Sequence, residues 1–65
     1  MTDDKLRECV AWYIRHHGRK ETDVTVFETF VCGHFRTFPR EAREIRRELQ
    51  DLGLVSVSDG KVVIL

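Results

Sequence analysis

The chain has 65 residues, enough for one small domain with little room for a deep catalytic cleft. Hydrophobic residues make up 42% and charged residues 34%, a globular balance that excludes wholesale disorder. Eleven Lys and Arg offset eleven Asp and Glu, which excludes a uniformly basic, histone-like protein but not a basic face.

No apolar run reaches the length of a membrane span. The start, Met1-Thr2-Asp3-Asp4, is acidic and has no apolar stretch, so no signal peptide is expected. Cys9 and Cys32 form no CxxC pair, and without a secretory context they are expected as reduced, mostly buried thiols in the cytoplasm. One domain over 1–65 follows, since no linker, repeat or low-complexity stretch interrupts it. Charge comes in blocks. Arg15, Arg19 and Lys20 form one cationic cluster, and residues 36–47 hold five arginines against two glutamates.

The spacing predicts a first helix over 4–17. Leu6, Cys9, Val10, Tyr13, Ile14 and His17 recur at three and four and share one side. Asp3 or Asp4 is the candidate cap, Gly18 the residue that ends the helix, and Arg15, His16 and His17 suit the negative end of its dipole. Thr25-Val26-Phe27-Glu28 fits a capping box and predicts a second helix over 26–35, with Phe27, Phe30, Val31 and His34 inward. Asp23-Val24-Thr25 offers a strand stub that competes with this cap.

After the link Arg36-Thr37-Phe38, Pro39 sits at a favoured first helical position, with Thr37 or Phe38 as the cap. The third helix is predicted over 39–52, with Ala42, Ile45, Leu49 and Leu52 as its apolar stripe and Gly53 as its end. Two β-rich runs, 54–58 and 61–65, then flank Asp59-Gly60, a strong hairpin signal. A two-residue turn pairs Val57 with Val62 and Val55 with Ile64, giving one apolar face. The expected core is Leu6, Val10, Tyr13, Ile14, Phe27, Phe30, Val31, Ile45, Leu49, Leu52, Val55, Val57, Val62 and Ile64.

This is a mainly α chain with a C-terminal β-hairpin, an α+β class. Three helices, a tight link before the third, the step Leu52-Gly53-Leu54-Val55 and a closing hairpin together resemble the winged helix-turn-helix superfamily. The resemblance covers nearly the whole chain. It implies a third helix that enters the major groove of double-stranded DNA and a 54–65 wing that touches the flanking backbone. It also implies a strand between the first two helices.

Residue chemistry makes its own case. On the side of the third helix opposite its apolar stripe stand Arg40, Arg43 and Arg47, with Arg36 just ahead and Arg46 at the flank. Guanidinium groups neutralise phosphates and read guanine through paired hydrogen bonds. The competing view is a solvated helix face, in which interleaved Glu41, Glu44 and Glu48 pair with the arginines. Lys61 at the wing tip, beside Asp59, is the remaining candidate nucleic-acid contact, and Ser56 and Ser58 can donate to phosphate.

Trp12 lies away from the apolar side of the first helix and is the candidate for a homodimer or another protein contact. Cys32-Gly33-His34 is the tightest Cys/His grouping and is poor for zinc, since the two side chains project apart on a helix. No metal, cofactor, small-molecule substrate or enzymatic activity is expected. The expected function is that of a small DNA-binding transcriptional regulator. The alternative is a winged-helix module for protein assembly without nucleic acid.

Overall fold

A computed structural model describes residues 2–65. Helix α1 (Asp3–His17) is followed by strand β1 (Glu21–Asp23), helices α2 (Val24–Phe35) and α3 (Pro39–Asp51), and strands β2 (Val55–Ser58) and β3 (Lys61–Ile64). The class is α+β, with three helices against one three-stranded antiparallel sheet of order β1-β3-β2. No helix among the described residues is long and apolar enough to cross a membrane.

Helix α1 begins earlier than its spacing suggested. Thr2, in extended conformation, is the N-cap, and its carbonyl accepts from the Leu6 amide at 3.2 Å. Asp3 and Asp4 therefore do not cap; they lie in the first turn, where carboxylates face the positive end of the dipole. Gly18 ends the helix at φ 65, in the left-handed region that glycine enters without a Cβ penalty, and donates to the Ile14 carbonyl at 2.8 Å.

The start of α2 corrects two expectations. Strand β1 occupies 21–23 instead of 23–25, and Asp23 serves both as its last residue and as the α2 N-cap. The Thr25–Glu28 capping box is not formed, because the helix starts at Val24 and places Thr25 inside its first turn. A tertiary contact accounts for the shift. The Val24 amide, one of the unpaired donors of a helix start, reaches the Gly60 carbonyl at the hairpin turn at 3.0 Å. Glu28 is thereby released for another partner, described below.

Helix α2 closes with Arg36 in the left-handed region at φ 52, and the Thr37 amide donates to the Cys32 carbonyl at 3.0 Å. Phe38 takes the N-cap of α3 and Pro39 follows at the first helical position. Thr37 precedes the cap and donates its hydroxyl to the Glu41 carboxylate. Helix α3 stops at Asp51, one residue short of the expected end.

The hairpin has its expected register, Val55 with Ile64 and Val57 with Val62. Asp59 and Gly60 sit at φ 52 and 73, as a type I′ turn requires. Strand β1 adds to the other edge of β3, pairing Thr22 with Val62 and Asp23 with Lys61. Sequence reasoning held a two-stranded hairpin in clear view, whereas β3 is the centre of a sheet of three.

The buried core joins Leu6, Cys9, Val10 and Tyr13 of α1, Phe27 and Val31 of α2, Ala42, Ile45 and Leu49 of α3, and Val55, Val62 and Ile64 of the sheet. Tyr13 is its hub, meeting Phe27 and Phe30 edge-on at ring separations of 5.2 Å each. Ile14, Phe30 and Val57 pack at its margin and are half-buried. Leu52, expected in the core, is 38% exposed, because α3 ends before it and it becomes the C-cap at the rim.

The two thiols are free and differ in environment. Burial pushes the Cys9 thiol up from 9.0 to about 12. The unfolded chain ionises this thiol near its ordinary value, so stability from the group is intact below about pH 9 and lost as pH rises towards 12. Cys32 is half-buried and donates to the Thr37 carbonyl. A thiol reagent at pH 8 is expected to modify Cys32 while Cys9 stays protected until denaturant is added. Equal rates for the two in native buffer, read by mass spectrometry, would contradict this core.

Candidate functional site

Helix α3 is pinned by its inner side. Ala42, Ile45 and Leu49 are buried, and a half-buried ion pair ties the helix to α2: the Arg46 Nε–H donates to Glu28 at 2.6 Å, with side chains 13% and 19% exposed. Arg46 also bonds the Gln50 side chain. Arg46 is thus a scaffold residue, and the flank position read from the helix wheel is an interior joint between two helices. The signal was visible only as two separate features, an acid assigned to a cap and an arginine off the main row.

With that side fixed, Arg40, Arg43 and Arg47 stand exposed on the other, and Arg36 is exposed at the turn before the helix. Among the described residues the ion pairs are Arg46–Glu28 and Lys61–Asp23 alone. The pairing of Glu44 with the arginine row, which belongs to the competing solvated-face view, is not formed among the described residues, and Glu41 receives the Thr37 hydroxyl. The four guanidinium groups are exposed and form no ion pair among the described residues, with Glu41, Glu44 and Glu48 exposed on the same helix.

Lys61 is placed differently. The β1–β3 register sets Asp23 opposite it, and its Nζ lies 2.6 Å from Asp23 Oδ1. The bond to Asp23 raises the Lys61 pKa and keeps the ammonium charged. Its charge is balanced within the protein, and Asp59 is two residues away at the turn. Ser56 and Ser58 are exposed on the outward face of β2.

The first cationic block also divides. The Arg15 guanidinium lies 5.1 Å from the centre of the Trp12 ring, on which His16 stacks at 5.1 Å. Trp12 itself stays 37% exposed. Arg19 and Lys20 border an open groove of about 730 Å³ that Glu21, Asp23 and Lys61 also line, so both signs of charge meet there.

Sequence reasoning missed two features. All three histidines stack on aromatic rings: His16 on Trp12, His17 on Tyr13, and His34 on Phe30. Histidine and aromatic residues four apart on a helix carry that signal. Among the described residues no three His, Cys, Asp or Glu side chains gather as metal ligands would. The second is Phe38, 75% exposed at the head of α3 and seen in the sequence only as a possible cap.

Comparison of the chain with protein-family models, curated proteins and solved structures finds no match.

Proposed function

We propose that this chain is a winged helix-turn-helix module that binds double-stranded DNA through α3, a small transcriptional regulator. The observation that carries the proposal is the arginine face: Arg40, Arg43 and Arg47, with Arg36 beside them, are exposed and without a carboxylate partner among the described residues. Element order supports it. A strand lies between α1 and α2 and pairs with the hairpin, the piece that the sequence left hardest to see. The short turn Arg36–Phe38 and the Arg46–Glu28 bond hold α3 against α2, the pairing that presents a reading helix to the major groove.

Each phosphate neutralised releases counterions, so log affinity falls against log salt by about 0.9 per contact. Fluorescence anisotropy with a labelled mixed-sequence duplex, titrated across salt, is expected to give a slope of about −3 if three or four arginines engage phosphate. Absence of binding at low salt would end this proposal.

One observation favours a protein-assembly role instead. An indole that is 37% exposed, carrying its own arginine, is the composition of an interface anchor. Sedimentation of the same sample separates the two roles: a dimer that Trp12→Ala splits, with no duplex binding, selects assembly.

A further inference from the structure

We propose that Phe38 is a base-reading contact whose ring packs on the C5-methyl group of thymine in the major groove. The proposal rests on the duplex-binding role of α3 given above and adds a preference that the arginines alone do not supply.

Phe38 is 75% exposed and stands outside the hydrophobic core. A free phenyl ring in water gains nothing for the fold, and its neighbours already satisfy the turn. The Arg36 amide donates to Gly33 at 3.3 Å, the Thr37 amide to Cys32 at 3.0 Å, and the Ala42 amide to the Phe38 carbonyl at 2.9 Å. Cys32 donates its thiol proton to the Thr37 carbonyl, and the Thr37 hydroxyl bonds Glu41. Backbone on both sides of Phe38 is therefore held, and the ring is presented on a fixed base.

The flanking chemistry selects the occupant. Arg36 and Arg40 stand two residues to either side, both exposed and without a carboxylate partner among the described residues. An exposed apolar ring flanked along the chain by these two exposed, unpaired arginines suits a polyanion that also offers an apolar group. In duplex DNA that group is the thymine methyl, which lies in the major groove and is read by apolar contact. Burying one methyl is worth about a fourfold preference.

The test needs no known target site. Anisotropy at low salt compares an alternating dA-dT duplex with the same duplex carrying deoxyuridine, which lacks only the methyl group. The wild type is expected to bind the thymine duplex about fourfold more tightly. Phe38→Ala is expected to bind both alike and to keep the wild-type salt slope, because the arginines remain. Equal binding of the two duplexes by the wild type, with overall affinity still dependent on Arg43 and Arg47, overturns the Phe38 proposal and leaves DNA binding standing. A thymine preference that survives in Phe38→Ala overturns it as well, by placing the methyl contact elsewhere. No duplex binding at low salt removes both proposals. A free wild-type protein that is a dimer and becomes a monomer on Phe38→Ala would place Phe38 at a protein contact and overturn the proposal.

Discussion

Phe27→Ala is expected to bring the protein to the edge of unfolding, with about half of it unfolded at room temperature. Phe27 is fully buried, and its ring meets Tyr13 edge-on at 5.2 Å, joining α2 to α1. Truncating a buried Phe costs about 3–5 kcal/mol, the lost transfer energy plus the cavity left behind. A single core in a chain of this length rarely supplies more than about 3–5 kcal/mol in total. The cost and the whole stability are thus of equal size. Urea melts followed by circular dichroism check the expectation, with Phe38→Ala as the internal contrast. The same side chain is removed there from a 75% exposed site, and the midpoint is expected to move little. A Phe27→Ala midpoint close to that of the wild type would mean the core is not organised around Tyr13 and Phe27.

The contrast between these two phenylalanines bears on what the sequence disclosed. Phe27 lies at helical spacing from Val31, so periodicity alone put it inside. Phe38 has no periodic position, because it sits between two helices, and its exposure is decided by how the fold places that turn. The same division runs through the fold. Local chemistry announced α3 through Pro39 and the spacing of Ala42, Ile45 and Leu49, and Asp59-Gly60 fixed the hairpin register. The α2 start and β1 were misread by about two residues because their determinants are distant. Val24 finds its acceptor at Gly60, and Asp23 finds Lys61 across the sheet. A capping box is a local proposition, and here a turn far along the chain instead pairs the Val24 amide, a donor the box does not reach.

The site shows this too. Sequence alone picked out Arg36, Arg40, Arg43 and Arg47, since their exposure follows from the stripe that buries the opposite side of α3. It did not separate Arg46 from that row. One step around the helix turns a free cation into half of an interior ion pair, and only the position of Glu28 on α2 decides which it is. Likewise nothing in the hairpin sequence says that Lys61 is matched by Asp23, which belongs to a strand contributed from before α2.

That difference between free and matched cations yields the second large effect. On the DNA-binding proposal, the double variant Arg43→Ala/Arg47→Ala is expected to weaken duplex affinity by about a hundredfold, taking about 1–3 kcal/mol for each lost guanidinium contact. Both residues are exposed, so the folded state should persist, and circular dichroism before and after checks it. The salt slope tells which contact was lost. If both arginines hold phosphates, the slope becomes shallower by about 1.8, and all sequences lose affinity alike. If they read guanine, the slope stays and preference among sequences collapses instead. Lys61→Ala should change affinity much less than either arginine does, because its charge is already balanced by Asp23 at 2.6 Å. Equal losses for Lys61 and the arginines would show that the wing supplies as much of the grip as α3 does. An unchanged affinity in the double variant would detach α3 from DNA altogether and leave Trp12 as the surface to pursue.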